Sequence, residues 1–139
     1  MDVNNLTDTE YAKLLKPFFM KHDSEAASHE KHIHVAWLLF NEFDRAKAIY
    51  LASVGYRVNQ RPDAKIGYHA TITIGYMHLV YDCMKQVPEI SFQNFRTNNP
   101  LLFATNFKAL RVYYSDELLW SKLARENFVD GDLKNLPQP

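Results

Sequence analysis

The sequence predicts an all-α fold, a single compact domain of five to six helices in an orthogonal or bundle-like arrangement. Three observations support this prediction. Helix-capping residues precede several stretches with helical apolar periodicity, only four glycines occur, and no alternating apolar and polar stretch is bounded by Asn-Gly or Asp-Gly, as hairpins would require. With 139 residues, the chain has the length of one domain. We therefore expect one domain over residues 1–139, with an irregular tail from about residue 130.

The first three helices are predicted from their ends. Thr7 and Glu10 form a capping box for the first helix, which Pro17 should kink or end. A second helix is expected from residue 25 or 28 to residue 42. Asp44 is placed to cap a third helix over 45–58, which the segment 59–62 closes.

The second half of the chain contains a long predicted helix and two shorter ones. The long helix covers about 66–85, although its β-branched TITI run at 71–74 is also compatible with a strand. Ser91 is placed to cap a short helix that ends at Asn98. Ser115, followed by two acidic residues, is placed to cap a last helix that runs to about residue 128.

Charge and hydropathy limit the kinds of partner and the cellular location that we expect for this protein. Sixteen basic and sixteen acidic residues cancel, and no stretch is a basic run, so no nucleic-acid partner is expected. The longest apolar run, 35–40, is far shorter than the roughly twenty residues of a membrane span. Cys83 is the single cysteine, and the N-terminal residues do not have the pattern of a signal peptide. A soluble, cytoplasmic protein without a membrane partner is expected, and the sequence does not specify an oligomeric state.

Histidines give the sequence its most distinctive chemistry. On a helical wheel, one apolar face of the second helix carries two of them, one turn apart at its N-terminal end, so that both rings can approach one point. The residues of this face are His29, His32, Ile33, Ala36, Trp37 and Phe40.

A third histidine is expected at the start of a similar face on the long fourth helix. The residues of that face are His69, Ile72, Thr73, Tyr76, Met77 and Val80. If the two faces meet, three imidazoles and the hydroxyl of Thr73 converge.

Three functional hypotheses follow from this arrangement. Three histidine ligands with an open coordination position suit zinc or non-haem iron, which makes His29, His32 and His69 the predicted metal ligands of a small metalloprotein. The second hypothesis is a non-catalytic module that binds a small-molecule ligand or haem. Its predicted ligand-binding residues are Trp37, Tyr68, Thr71, Thr73 and Tyr76. In the third, the protein is structural or an interaction protein, and its core histidines bond to hydroxyls or backbone. The sequence does not specify whether the metalloprotein is an enzyme or which residues would then be catalytic.

Four segments resemble a set of small bacterial proteins that have no assigned activity. These segments are HEKHIHVAWLLF, YHATIT, SFQNFRTNNPLL and YYSDELLWSKLARENFV, and the resemblance covers about residues 29–129. The shared pattern has H-x-x-H followed by A-W, then Y-H-E-T-I-T, then N-P-x-L-L. The resemblance implies a site at His29, His32, Ala36, Trp37, Tyr68, His69, Thr71 and Thr73. Ala70 replaces the glutamate of that pattern, so a carboxylate ligand or general base at this position is absent.

Overall fold

The computed structural model describes residues 7–19, 24–60, 67–88 and 91–137, and this part of the chain is all-α. Its helices are α1 (Asp8–Leu14), α2 (Lys16–Phe19), α3 (Glu25–Glu42), α4 (Arg45–Val58), α5 (Ala70–Gln86), α6 (Phe92–Asn98), a 3-10 helix (Pro100–Phe103), α7 (Lys108–Arg111), α8 (Asp116–Leu119) and α9 (Lys122–Glu126). No strand occurs within these ranges, and the TITI run lies in α5. The predicted all-α class is confirmed.

The chain divides into two compact units, Met1–Tyr68 and His69–Pro139. We call them unit 1 and unit 2 and describe each by itself. The expectation of one domain over residues 1–139 stays a prediction.

Unit 1 is built from α1 to α4, and the bounds of α3 and α4 and the start of α1 agree closely with the sequence prediction. The backbone N–H of Glu10 donates to Thr7 Oγ1 at 3.1 Å, and the N–H of Thr7 donates to Glu10 Oε1 at 3.4 Å, which is the predicted capping box. Asp44 Oδ1 accepts from the N–H of Lys47 at 2.8 Å and caps α4. The chain leaves helical geometry at Leu15 and resumes in α2, where Pro17 occupies the first turn, a position that needs no N–H donor.

The buried face of α3 differs from the predicted one. In unit 1, α3 packs on α4 and α2, and α1 packs on α4. Ile33, Val35, Ala36 and Leu39 are buried, whereas Trp37 is only half-buried. Phe40 is half-buried as well. The predicted face was therefore rotated too far toward Trp37, because both sides of this helix carry apolar residues.

Unit 2 is organised around α5, which packs against α7, α9 and the 3-10 helix. The helix begins at Ala70 and not at residue 66, because Gly67 has a φ of +69° and His69 has an extended backbone. Gly75 allows α7 to approach, since a Cβ there would lie 3.0 Å from Leu110 Cδ2. The core of unit 2 includes Phe95, Leu102, Leu110, Tyr114, Leu119, Ala124 and Leu136.

The C-terminal part of unit 2 differs from the sequence prediction. The single helix expected from Ser115 to about residue 128 is two short ones, because Ser121 adopts an extended backbone and caps α9 through the N–H of Ala124. The 3-10 helix and α7 were not predicted. No helix in the described ranges has both the length and the apolar character that crossing a membrane demands.

Candidate functional site

His69 is the N-cap of α5, not a member of its helical face. Its ring turns back over the first turn, and Nδ1 accepts from the backbone N–H of Ile72 at 3.1 Å. On the other side of the ring, Nε2 lies 2.7 Å from the carbonyl oxygen of Leu119. Because an amide N–H can only donate and a carbonyl can only accept, the imidazole must be neutral with its proton on Nε2. Both ring nitrogens are therefore engaged within unit 2.

The surroundings of His69 favour this neutral form. The residue is 2% exposed, and the ring of Trp120 meets the imidazole edge to face at a centroid distance of 5.8 Å. Burial lowers the pKa of His69 below its usual value, and the positive charge of Arg125 lowers this pKa further. The hydrogen bond to Leu119 acts in the opposite direction.

Thr71, two residues further on, binds the segment that follows α9. Its hydroxyl donates to the carbonyl oxygen of Asn127 at 2.9 Å and accepts from the backbone N–H of Val129 at 3.1 Å. The side chain is fully buried. His69 and Thr71 together therefore attach the start of α5 to backbone groups at three positions between residues 119 and 129.

The tail beyond residue 129 is irregular, as the sequence predicts, but it is densely hydrogen-bonded. Asp132 accepts from the N–H and the hydroxyl of Ser115, at 2.8 and 2.6 Å. Asp130 Oδ1 accepts from the N–H of Leu136, whose side chain is buried. Carboxylate hydrogen bonds therefore join the tail to the residue that caps α8 and fix its own backbone.

The other two predicted metal ligands lie on α3 in unit 1. His29 and His32 are one turn apart and half-buried, and the ring of His32 meets the ring of Tyr56 on α4 at 4.8 Å. Among the residues that the structure describes, no three histidine, cysteine or acidic side chains are grouped so that they could hold a metal ion. The proposed convergence of His29, His32 and His69 is not supported.

The predicted ligand-binding residues are divided between the two units. In unit 1, Trp37 lies near the ring of His34 at 6.2 Å, and Tyr68 lies under the guanidinium of Arg57 at 5.7 Å. In unit 2, the three residues Thr71, Thr73 and Tyr76 are buried along α5. Burial raises the pKa of the Tyr76 hydroxyl well above its usual value. A ligand pocket formed by the five residues stays a prediction.

The sequence does not predict the partners of His69 and Thr71. They are backbone groups of Leu119, Asn127 and Val129, which lie 50 to 58 residues away in the chain. Backbone acceptors and donors have no residue-type signature. The signal that was available is Ser121, a good N-cap residue, which would have placed a helix boundary next to Trp120.

No family model, curated protein or solved structure matches the chain. The resemblance to the small bacterial proteins, and the site it implies, therefore stays a prediction.

The role of Thr71 is testable with an isosteric substitution. Thr71→Val should lower the free energy of unfolding by about 2 kcal/mol, because two part-buried hydrogen bonds to the backbone groups of Asn127 and Val129 are lost. Urea denaturation measures this difference. Thr97→Val, at an exposed position on α6, is the matched control and should change stability by less than about 0.5 kcal/mol. Equal effects of the two substitutions would contradict the role assigned to Thr71.

Proposed function

We propose that this protein has a non-catalytic, structural or interaction role, in which His69 and Thr71 stabilise the fold. The observation that carries the proposal is the pair of hydrogen bonds made by the two ring nitrogens of His69, to the N–H of Ile72 and the carbonyl of Leu119. This corresponds to the third hypothesis drawn from the sequence.

The chemistry of metal binding argues for this reading of His69. A histidine ligand coordinates through a ring nitrogen that carries no proton, and in His69 that nitrogen is Nδ1, which caps α5. Coordination through Nδ1 would leave the N–H of Ile72 without its acceptor, at a cost of about 1–3 kcal/mol. Coordination through Nε2 would move the proton to Nδ1, so that two donors would face each other and the carbonyl of Leu119 would lose its partner.

A second candidate function concerns His29 and His32. Both are half-buried and lie one turn apart on α3, a spacing that lets two imidazoles bind one metal ion. These two residues could bind a divalent zinc or iron ion without His69. It would require further ligands from water or substrate.

A metal titration separates these proposals. Apo protein without a histidine tag is titrated with Zn²⁺ and with Fe²⁺ at about pH 7, where imidazoles are largely neutral. The variants are His32→Ala, which removes a predicted ligand, and His69→Asn, which keeps a capping side chain. The structural role predicts that neither substitution changes metal affinity.

Two other outcomes are informative. A loss of about tenfold or more in affinity for His32→Ala alone would support the two-histidine site on α3. Equal losses in both variants would establish the three-histidine site and overturn the structural role of His69.

A further inference from the structure

Three hydrogen bonds join the start of α5 to residues 119–129, and their side-chain groups differ in whether they titrate. Those made by Thr71 use a hydroxyl, which does not titrate in the physiological range. The attachment made by His69 uses an imidazole, which does. Protonation of His69 alone can therefore change how strongly α5 binds this segment.

The surroundings of His69 disfavour a second proton on its ring. It would go to Nδ1, which would then be a donor facing the N–H of Ile72, also a donor. The resulting positive charge would lie at the N-terminus of α5, where the helix dipole is itself positive. Arg125 on α9 adds a further positive charge that acts on the ring.

The other ionisable groups on the packed elements do not compensate this charge. On α8, Asp116 is paired with Arg111, and on α9, Lys122 lies 3.9 Å from Glu126. Glu117 on α8 is exposed, so that solvent screens its charge.

One more ionisable group lies near the far end of the segment. His78, further along α5, has its ring 5.2 Å from that of Phe128 and is a second histidine to control for.

We propose that His69 is an acid-operated latch: protonation of its ring detaches residues 119–129 from the first turn of α5. This inference rests on the structural role proposed above for His69. The charged ring keeps its Nε2–H donor to Leu119, and this bond opposes opening. The Nδ1–H of the charged ring repels the N–H of Ile72, and burial and Arg125 also disfavour the charge. These effects outweigh the single bond, so the ring leaves its site, and the cap and the bond to Leu119 are then lost together.

The pH range follows from the direction of the pKa shift. Burial lowers the pKa of His69 in the folded protein below its unfolded value of about 6.5, so the folded form binds fewer protons than the unfolded form. The stability that His69 contributes is therefore fully present above about pH 6.5 and is lost as the pH falls through the folded-state pKa. The latch is closed at neutral pH and opens on acidification.

Hydrogen exchange read by mass spectrometry tests the latch in the full chain. Protection factors, corrected for intrinsic exchange rates, are compared at about pH 7.5 and about pH 5. In the wild type, peptides covering residues 119–129 should lose roughly tenfold or more in protection at the lower pH, while peptides from α4 keep theirs. In His69→Asn, protection of this segment should be lower at pH 7.5 but should no longer depend on pH.

Two matched variants identify the group that titrates. Thr71→Val should lower protection of the segment by a similar factor at both pH values, because it removes attachments that do not titrate. His78→Gln should keep the pH response of the wild type. Persistence of the full pH response in His69→Asn, or its disappearance in His78→Gln, would overturn the latch.

The wild type provides an independent check if His69→Asn does not fold. Protection should begin to fall below about pH 6.5 and should level off at the midpoint of the His69 titration followed by NMR. A fall that levels off more than about one pH unit from that midpoint would contradict the proposal. If His69→Asn weakens the segment at pH 7.5 while the pH response survives, the structural role of His69 stands and the latch alone fails.

Discussion

His69→Ala is expected to lower the free energy of unfolding of unit 2 by about 4 kcal/mol. The substitution removes the N-cap of α5, worth about 1 kcal/mol, and leaves the buried carbonyl of Leu119 without a donor, which costs about 1–3 kcal/mol. It also leaves a cavity beside Trp120. Urea unfolding followed by the fluorescence of Trp120, in a Trp37→Phe background, measures the loss in unit 2.

A graded control accompanies this substitution. Asparagine is a good N-cap residue but is too short to replace the bond to Leu119, so His69→Asn should recover about 1 kcal/mol of the loss. If His69→Ala costs less than about 1 kcal/mol, the ring is not the structural element described here.

Leu39→Ala is expected to cost about 3 kcal/mol, the second largest effect. Leu39 is fully buried in unit 1, and its truncation removes apolar contacts and leaves a cavity. Leu38→Ala, at the adjacent half-buried position, is the matched control and should cost about 1 kcal/mol. Circular dichroism during urea unfolding measures both. Similar losses for the two substitutions would mean that the buried face of α3 is assigned wrongly.

Local signals in the sequence predict where α4 and α6 begin. Asp44 and Ser91 each accept a hydrogen bond from a backbone N–H three residues further on. The residue types that do this are few, and the interaction lies within one turn, so a single sequence reveals it. The predicted range of α4, residues 45–58, agrees with the structure.

The orientation of a helical face is harder to predict than its existence. Trp37 and Phe40 are apolar and large, and Val35 and Leu39 complete an alternative face of the same helix. Periodicity cannot choose between two faces that both carry apolar residues, since the choice depends on the neighbouring helices.

The role of His69 could not be predicted for a different reason. Histidine is not among the preferred N-cap residues, and the helical pattern extends back to residue 66, so the sequence places His69 inside a helix. Its second partner, the carbonyl of Leu119, is 50 residues away. The helical periodicity therefore predicts that His69 is buried, but it places the residue on the face of α5 instead of at its N-cap.

The structural role of His69 depends on a neutral imidazole whose two ring nitrogens both bond to backbone groups. Nitrogen-15 NMR of the imidazole at about pH 7 tests it most directly, because the two ring nitrogens have distinct shifts in each tautomer. We predict an unprotonated Nδ1 and a protonated Nε2, with shifts that do not change when Zn²⁺ is added. Averaged shifts typical of an exposed imidazole, or a zinc-dependent change at either nitrogen, would contradict the account.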